Sequence, residues 1–161
     1  MSFSGPLADR IAIRELMETY AHGVMTRDAA LWGATWAEDA YWALPEYPDL
    51  GGFAGKAAIV EGWVASMQAY GLDGCSKPMV YIATPASIVV TGDTATAIAY
   101  TSEIFDDPAT GQRLHVRGRY DDELVRAGEG WLFRRRSYRS LLTQALAQAL
   151  ATGANPAAAG A

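Results

Sequence analysis

In one stretch of the chain, every second side chain would suit the wall of a ligand pocket, and the row ends in a carboxyl group. Every second residue from 97 to 103 is small or polar: Ala97, Ala99, Thr101 and Glu103. Small side chains leave room for a ligand, and a carboxyl group at the end of the row could act as a base if burial raised its pKa. The alternative is that Glu103 lies at an exposed strand end beside the turn at residues 106–107.

Two tyrosines could assist such a base. Tyr20 lies on the apolar face of the first predicted helix and Tyr81 on the first long predicted strand, so we expect both to project inward. A tyrosine has a pKa near 10, and a neighbouring arginine such as Arg136 would favour its phenolate form. The two hydroxyl groups could act as acids, as donors to an oxyanion or, with shifted pKa values, as bases. The alternative is that both are core aromatics with satisfied hydroxyl groups.

Three consecutive arginines, Arg134–Arg136, stand on a strand of a chain whose formal net charge is −5. Arg136 is either a cation that stabilises an oxyanion or one of three solvated arginines, and the alternation of this strand does not decide which face is inward. In the preceding strand we expect Val116, Gly118 and Tyr120 to face inward and the residues between them to face solvent or a partner subunit. His115 is a reserve base if that register is wrong.

Other kinds of site have little support in the sequence. The only histidines, His22 and His115, are far apart, and with a lone cysteine they offer no metal-ligand spacing. No glycine-rich phosphate loop follows a predicted strand, which argues against a nucleotide cofactor. Cys75 lies in a predicted loop with no identifiable histidine partner for nucleophilic catalysis. We therefore predict a site with no metal and no cofactor.

Composition limits the class of protein. The 161 residues suit one domain, half of them are hydrophobic, and the isoelectric point near 4.9 argues against nucleic acid as the main partner. A single cysteine excludes an internal disulfide and favours a reducing compartment. We find neither a stretch of about 18 apolar residues nor the layout of a signal peptide. The predicted location is the cytoplasm, without a membrane partner.

The hydrophobic periodicity changes from that of helices to that of strands along the chain. Period 3.6 predicts helices over residues 7–25, about 26–36 and 55–70, and period 2 predicts strands over 79–90 and 94–105. A short strand is expected over 40–44, and residues 115–138 read as a β-hairpin around Gly128 and Gly130. Residues 141–151 are apolar enough for a final short helix. We therefore predict one domain over residues 1–141, followed by a short helix and a flexible tail over 142–161.

Helices followed by an antiparallel meander predict an α+β fold in which a curved antiparallel sheet wraps around the N-terminal helices and leaves an apolar pocket. Plausible walls of that pocket are Trp42, Trp63, Met67 and Tyr120, although an ordinary core would use the same residue types, and for Trp63 the core is the favoured reading. Such walls would suit a flat aromatic or polycyclic molecule.

The order of these elements resembles the SnoaL-like branch of the nuclear transport factor 2-like superfamily, which includes polyketide cyclases, scytalone dehydratase, hexachlorocyclohexane dehydrochlorinase and the β subunits of ring-hydroxylating dioxygenases. The matching segments are Asp9–Leu16, Trp36–Trp42, Gly55–Ile59, Gly118–Tyr120 and Gly130–Phe133. The resemblance covers about residues 7–140 and implies a cone-shaped α+β barrel with an internal pocket. It is specific to the fold and not to a reaction.

The resemblance also implies site residues. The family's cofactor-free lyases use an aspartate at the end of the first helix and a histidine on the first long strand. In this chain those positions fall on Met25 and Tyr81, so the Asp–His base is lost. The arginine that ends the last strand of the dehydrochlorinase does find a match, in Arg136. The alignment with the family also puts the face that bears Glu103 towards the pocket.

The sequence thus supports three functions. The leading one is a cofactor-independent lyase, isomerase or cyclase acting on a hydrophobic, aromatic or polycyclic small molecule, with Glu103 or a tyrosine as base and Arg136, Tyr20 or Tyr81 stabilising the oxyanion. The alternatives are a non-catalytic small-molecule-binding protein and an assembly subunit like the dioxygenase β subunits. Met25 is predicted to line the pocket, and the protein is expected to form a homodimer or homotrimer.

Overall fold

Three helices pack against one face of a curved, unclosed sheet of seven strands in the computed structural model, which describes residues 2–46, 51–69, 79–107 and 110–146. The helices are α1 (Leu7–Thr26), α2 (Ala29–Gly33) and α3 (Lys56–Ala69). The strands are β1 (Phe3–Ser4), β2 (Trp36–Ala43), β3 (Gly52–Ala54), β4 (Val80–Thr91), β5 (Thr94–Asp106), β6 (Arg113–Ala127) and β7 (Gly130–Ala145). The predicted α+β class and the three helices are confirmed.

The second helix is shorter than the sequence predicts, because it begins only after Asp28 and the next strand already starts at Trp36. Arg27 adopts a left-handed conformation with φ of 56° and ends α1. The carboxylate of Asp28 then accepts hydrogen bonds from two backbone N–H groups of α2, at 3.0 and 2.9 Å. Asp28 is therefore the N-cap residue of α2, and Thr26 belongs to the last turn of α1. The hydroxyl of Thr26 donates to the carbonyl oxygen of His22 at 2.8 Å.

The sheet is mixed, which corrects the prediction of a wholly antiparallel one. Strands β4 to β7 do form the expected antiparallel meander. On one side β1 joins β4 in parallel, and on the other β2 joins β7 in parallel, with β3 at the edge, so the strand order is β1-β4-β5-β6-β7-β2-β3. The strand near residue 40 is longer than expected, because it begins at Trp36.

The last strand replaces the first part of the predicted C-terminal helix. Residues 141–145 continue β7 and pair with the start of β6, with Leu142 opposite Arg117 and Ala145 opposite Leu114. Leucine, glutamine and alanine favour helix locally, but backbone pairing with β6 overrides that propensity. The remainder of the predicted helix, the predicted tail, residues 47–50 and the predicted loop with Cys75 lie outside the described residues.

Two β-bulges decide which side chains of β6 and β7 face the helices. The register slips between Glu123 and Leu124 and again between Arg117 and Gly118. Because of the first slip, Arg134 and Arg135 are both exposed, and the next residue, Arg136, turns inward and is fully buried. On β6 the predicted inward set is confirmed, since Val116 and Tyr120 are buried.

The core between helices and sheet is unusually aromatic. Trp32 stacks on Trp63 with ring centroids 4.7 Å apart and contacts Trp36 edge-on at 5.4 Å. Tyr20 of α1 packs within this group, 5.3 Å from the ring of Trp32. These rings are joined by Phe133 of β7, so the core links the helices to the sheet. Among the described helices, none is long and apolar enough to cross a membrane.

Candidate active site

A cavity of about 400 Å³ opens between the helices and the meander, within the size range of small-molecule sites. Its wall is mostly apolar, with two tryptophans, two methionines and several aliphatic or phenyl side chains from α3 and the strands. Most of the predicted site residues lie on this wall: Tyr20, Trp42, Trp63, Met67, Tyr81, Glu103 and Tyr120. The remaining described residues of the wall are Val24, Leu44, Ser66, Met79, Phe105, Asp107, Leu114, Val116, Tyr138 and Thr143.

The polar groups of the cavity gather around Glu103 on β5. Its Oε1 atom accepts hydrogen bonds from the hydroxyl groups of Thr101 and Tyr138, both at 3.0 Å. Among the described residues no group bonds its Oε2 atom. Burial raises the pKa of Glu103 above the usual range, although the bonds from Thr101 and Tyr138 act against that rise. Glu103 faces the interior, and the alternative of an exposed strand end is wrong.

Tyr81 lies directly opposite Glu103 on the neighbouring strand β4. Directly opposed residues project on the same face of the sheet with their Cβ atoms about 5 Å apart. The Tyr81 side chain is only 3% exposed, and its hydroxyl has no hydrogen-bond partner among the described residues. A buried hydroxyl group without a hydrogen-bond partner is unfavourable, so a ligand oxygen that accepts from Tyr81 beside Glu103 would bind favourably there.

The hydroxyls of Tyr20 and Tyr120 form a second polar pair, 3.2 Å apart, across the cavity wall between α1 and β6. Burial raises the pKa of Tyr20 despite the nearby charge of Arg136, and burial likewise raises the pKa values of Tyr81 and Tyr120 well above 10. All three therefore keep their protons near neutral pH. The structure makes them donors and possible acids, and it does not support the option of a tyrosine base.

A glycine in β6 makes room for the ring that reaches Glu103. A Cβ atom at Gly118 would overlap the ring of Tyr138, so that ring lies flat over the glycine. Tyr138 also packs against Tyr120 with ring centroids 5.0 Å apart. Its hydroxyl is thereby held in reach of Glu103. Tyr138 was missed from the sequence because the slip between Glu123 and Leu124, which turns Arg136 and Tyr138 inward, has no clear signature.

Arg136 does not line the cavity, which corrects its predicted place on the wall. Its Nε and Nη2 atoms donate to the two carboxylate oxygens of Asp122, at 2.8 and 3.1 Å. Both side chains are almost wholly buried, with exposures of 1% and 0%. Burial alone would lower the pKa of Arg136, but Asp122 and the nearby tyrosines raise it, so the guanidinium stays charged.

Aromatic rings enclose this ion pair. The guanidinium carbon of Arg136 lies 4.2 Å from the ring centroid of Tyr20 and 3.9 Å from those of Tyr120 and Phe133. Because Tyr20 and Tyr120 themselves line the cavity, they stand between it and the cation. Arg136 is thus a buried structural cation next to the site, and neither of the two predicted alternatives, wall or solvent, describes it.

Met25 is the other predicted site residue that the cavity does not include. Tyr20 and Val24, four residues apart, share the face of α1 that lines the cavity. Met25 follows Val24 by one position, is turned by about 100° around the helix, and packs, half-buried, against the core. This rotation around the helix explains why Met25 does not line the cavity.

His115 lies on the other face of the sheet. Its Nε2 atom is 2.8 Å from the hydroxyl oxygen of Ser102, and both are half-buried. The role of reserve base therefore has no geometric support. Within the described residues, no group of three or more histidine, cysteine, aspartate or glutamate side chains is arranged to hold a metal ion.

Residues 5–137 match the family model of the SnoaL-like domain. Among solved structures, a candidate aromatic ring hydroxylase from Novosphingobium aromaticivorans is 29% identical over 89% of this chain and 96% of its own, with a TM-score of 0.71. A candidate scytalone dehydratase from the same organism, at 19% identity and a TM-score of 0.72, is covered over 91% of its length, against 89% of this chain. A hexachlorocyclohexane dehydrochlorinase from Novosphingobium barchaimii gives the same identity and TM-score, with 89% of this chain and 93% of its own covered. No curated protein matches the chain.

Proposed function

Because the chain belongs to the SnoaL-like domain family, we propose that it is a cofactor-independent lyase, isomerase or cyclase that acts on a hydrophobic, aromatic or polycyclic small molecule. One observation carries the proposal: Glu103, a carboxyl group with a raised pKa, lies opposite the unpartnered hydroxyl of Tyr81 in an otherwise apolar cavity. A carboxylate whose pKa is raised is a stronger base than an ordinary carboxylate, which suits it to general-base catalysis.

The reaction follows from these positions. The free Oε2 atom of Glu103 removes a proton from a carbon next to a carbonyl group of the ligand. The electron pair moves to the carbonyl oxygen, where the Tyr81 hydroxyl stabilises the developing negative charge. In an isomerisation, the protonated Glu103 then returns the proton to another carbon. In an elimination, the electron pair forms a carbon–carbon double bond as the bond to the leaving group breaks. The leaving group departs with that bond's electrons and takes up the proton from Glu103 or leaves it to solvent.

The walls of the cavity fit the proposed substrate class. Trp42 and Trp63 offer flat aromatic surfaces, and Met67 and Met79 offer adaptable thioether side chains. A similar protein at 29% identity is named as a candidate aromatic ring hydroxylase, and proteins with the same fold are named as a candidate scytalone dehydratase and a hexachlorocyclohexane dehydrochlorinase. These names agree with an aromatic ligand and with elimination chemistry.

Exchange of carbon-bound hydrogen tests the proposal without knowledge of the natural substrate. The probe is 2-tetralone, a bicyclic ketone with acidic hydrogens at C1, whose exchange in D₂O is followed by NMR. We expect wild-type protein to accelerate exchange and Glu103→Gln to lower the gain by about 10²–10⁴-fold, the usual contribution of a general base. Ser102→Ala, on the opposite face of the sheet, is the matched control. Equal exchange rates in wild type and Glu103→Gln would overturn the assignment.

A second candidate function is non-catalytic binding of the same class of ligand. It is favoured by the capture of Arg136 by Asp122, which withdraws the cation from the wall, together with Met25 and Tyr81 at the positions of the family's aspartate and histidine. Wild-type protein that bound 2-tetralone without accelerating its exchange would favour this function.

We also propose that the protein forms a homodimer or homotrimer in the cytoplasm. The face of the sheet away from the helices carries exposed apolar side chains, Ile82 at 55% and Tyr100 at 46%, beside the exposed Arg117. Light scattering after size-exclusion chromatography would give the oligomer. Co-purification with a larger chain would instead point to an assembly subunit.

A further inference from the structure

The charged side chains on the described wall of the cavity are all acidic. Its described residues include two carboxyl groups, Glu103 and Asp107, and no arginine, lysine or histidine. A carboxylate ligand would therefore enter a site of low polarity without a cation to pair with it, and would lie close to Glu103. Burial of an unpaired carboxylate costs far more than burial of a neutral hydroxyl group.

The nearest buried cation cannot supply the missing charge. Both oxygens of Asp122 are bonded to Arg136, which makes the pair neutral overall, and the rings of Tyr20 and Tyr120 lie between the guanidinium and the cavity. Its Nη1 atom is buried and has no hydrogen-bond partner among the described residues, but Arg136 itself does not line the cavity. The Asp122 carboxylate thus sets the charge of the site although it does not line it.

The unsatisfied groups that remain suit one oxygen atom of a neutral ligand. The Tyr81 hydroxyl can donate, and the Oε2 atom of Glu103 can accept or, when protonated, donate. A ligand hydroxyl group both accepts and donates, and a carbonyl group accepts from Tyr81. An ammonium group could pair with a carboxylate of the wall, but it only donates, so it would leave the Tyr81 proton unused and would lose its hydration on entry.

We propose that the cavity selects uncharged aromatic molecules through a hydroxyl or carbonyl oxygen held between Tyr81 and Glu103, and that the Arg136–Asp122 pair makes it reject aromatic carboxylates. The inference rests on the proposed function only for the location of the ligand. It concerns binding, so it can fail while catalysis stands, and it can hold in a protein that has no activity.

Calorimetric titration with four naphthalene probes tests the inference at neutral pH: 2-naphthol, naphthalene, 2-naphthoate and 2-naphthylmethylammonium. We expect 2-naphthol to bind at least about fivefold more tightly than naphthalene, the gain from one hydrogen bond, and both charged probes to bind more weakly than naphthalene. Tyr81→Phe should remove the preference for 2-naphthol and leave naphthalene binding unchanged. Tighter binding of either charged probe, equal binding of 2-naphthol and naphthalene, or no binding of any probe would overturn the proposal.

The role of the buried pair has its own test. Asp122→Asn leaves the charge of Arg136 without a counter-charge, so 2-naphthoate should bind at least about tenfold more tightly to this variant than to wild type. Asp121→Asn, one position away on the other face of the strand, is the matched control and should leave binding of 2-naphthoate unchanged. If Asp122→Asn does not fold, the comparison of wild type with Tyr81→Phe still decides the polar part of the proposal. Unchanged binding of 2-naphthoate to folded Asp122→Asn would show that the pair does not set the selectivity.

Discussion

Removing one partner of the Arg136–Asp122 pair should destabilise the fold more than removing both. The two side chains are 1% and 0% exposed and share two hydrogen bonds, so either one left alone is a buried group without a counter-charge. Breaking such a pair costs about 3–5 kcal/mol, whereas replacing both partners with apolar residues of similar volume is often neutral or stabilising. We expect about 3–5 kcal/mol for Asp122→Asn and less than about 1 kcal/mol for the double variant Arg136→Met, Asp122→Leu.

The two single variants should respond differently to pH. Arginine stays protonated at every pH that a protein tolerates, so the cost of Asp122→Asn should not titrate. In Arg136→Met, the carboxyl group of Asp122 can take up a proton instead, because burial raises its pKa and no cation opposes that rise. A carboxyl group whose pKa is raised by folding makes the protein less stable as the pH increases through the gap between the unfolded and folded values. The cost of Arg136→Met should therefore be largest above the folded pKa and shrink towards acid.

Urea unfolding followed by tryptophan fluorescence and circular dichroism would measure these differences from about pH 5 to about pH 8. The slope for Arg136→Met relative to wild type is at most about 1.4 kcal/mol per pH unit for one proton. A cost below about 1 kcal/mol for Asp122→Asn would mean that water reaches the guanidinium. A double variant as unstable as the sum of the two single variants would mean that the partners contribute independently. Either result would refute the reasoning.

Three smaller predictions follow from the same structure. Because folding raises the pKa of Glu103 above 4.5, the value for an exposed glutamate, wild type should lose stability as the pH rises above 4.5, and Glu103→Gln should become more stable relative to it. A difference in unfolding free energy that stays constant from about pH 4 to 8 in urea titrations would contradict this. Gly118→Ala should displace the ring of Tyr138 and cost about 1–3 kcal/mol, because a hydrogen bond to a buried carboxyl group is lost. Tyr138→Phe should lose a similar amount in the same assay. A stabilised Gly118→Ala would show that the ring is not fixed. Asp28→Ala should cost about 1 kcal/mol through loss of the N-cap, and Asp28→Asn much less, so equal costs would argue against capping.

Periodicity in the sequence placed Ala97, Ala99, Thr101 and Glu103 on one face of β5, and the family resemblance directed that face towards the pocket. Strand β5 is regular from one end to the other, so a period of two carries the inward direction of the alanines through to Glu103. Tyr20 was predicted in the same way from the apolar stripe of α1. Where an element is long and unbroken, the direction of each side chain follows from its position alone.

Bulges limited the same reasoning in the last hairpin. Counting back from its turn pairs Leu124 with Phe133, and a regular ladder would then place Asp122 opposite Arg135. The register slip between Glu123 and Leu124 shifts the pairing by one residue and brings Asp122 opposite Arg136. The slip depends on how the two strands twist against the core, which no local pattern records, so the burial of the ion pair could not be predicted.

The parallel pairing of β2 with β7 also has a consequence for how the chain folds during synthesis. Strand β2 follows the first two helices, yet its neighbour in the sheet begins at Gly130, so Trp36 can pair with Phe133 only after about a hundred further residues have left the ribosome. Contacts between such distant segments form late and slow the folding of a domain. Until then the aromatic face of the helices is exposed to solvent, and exposed apolar surface of this kind makes a nascent chain prone to aggregation.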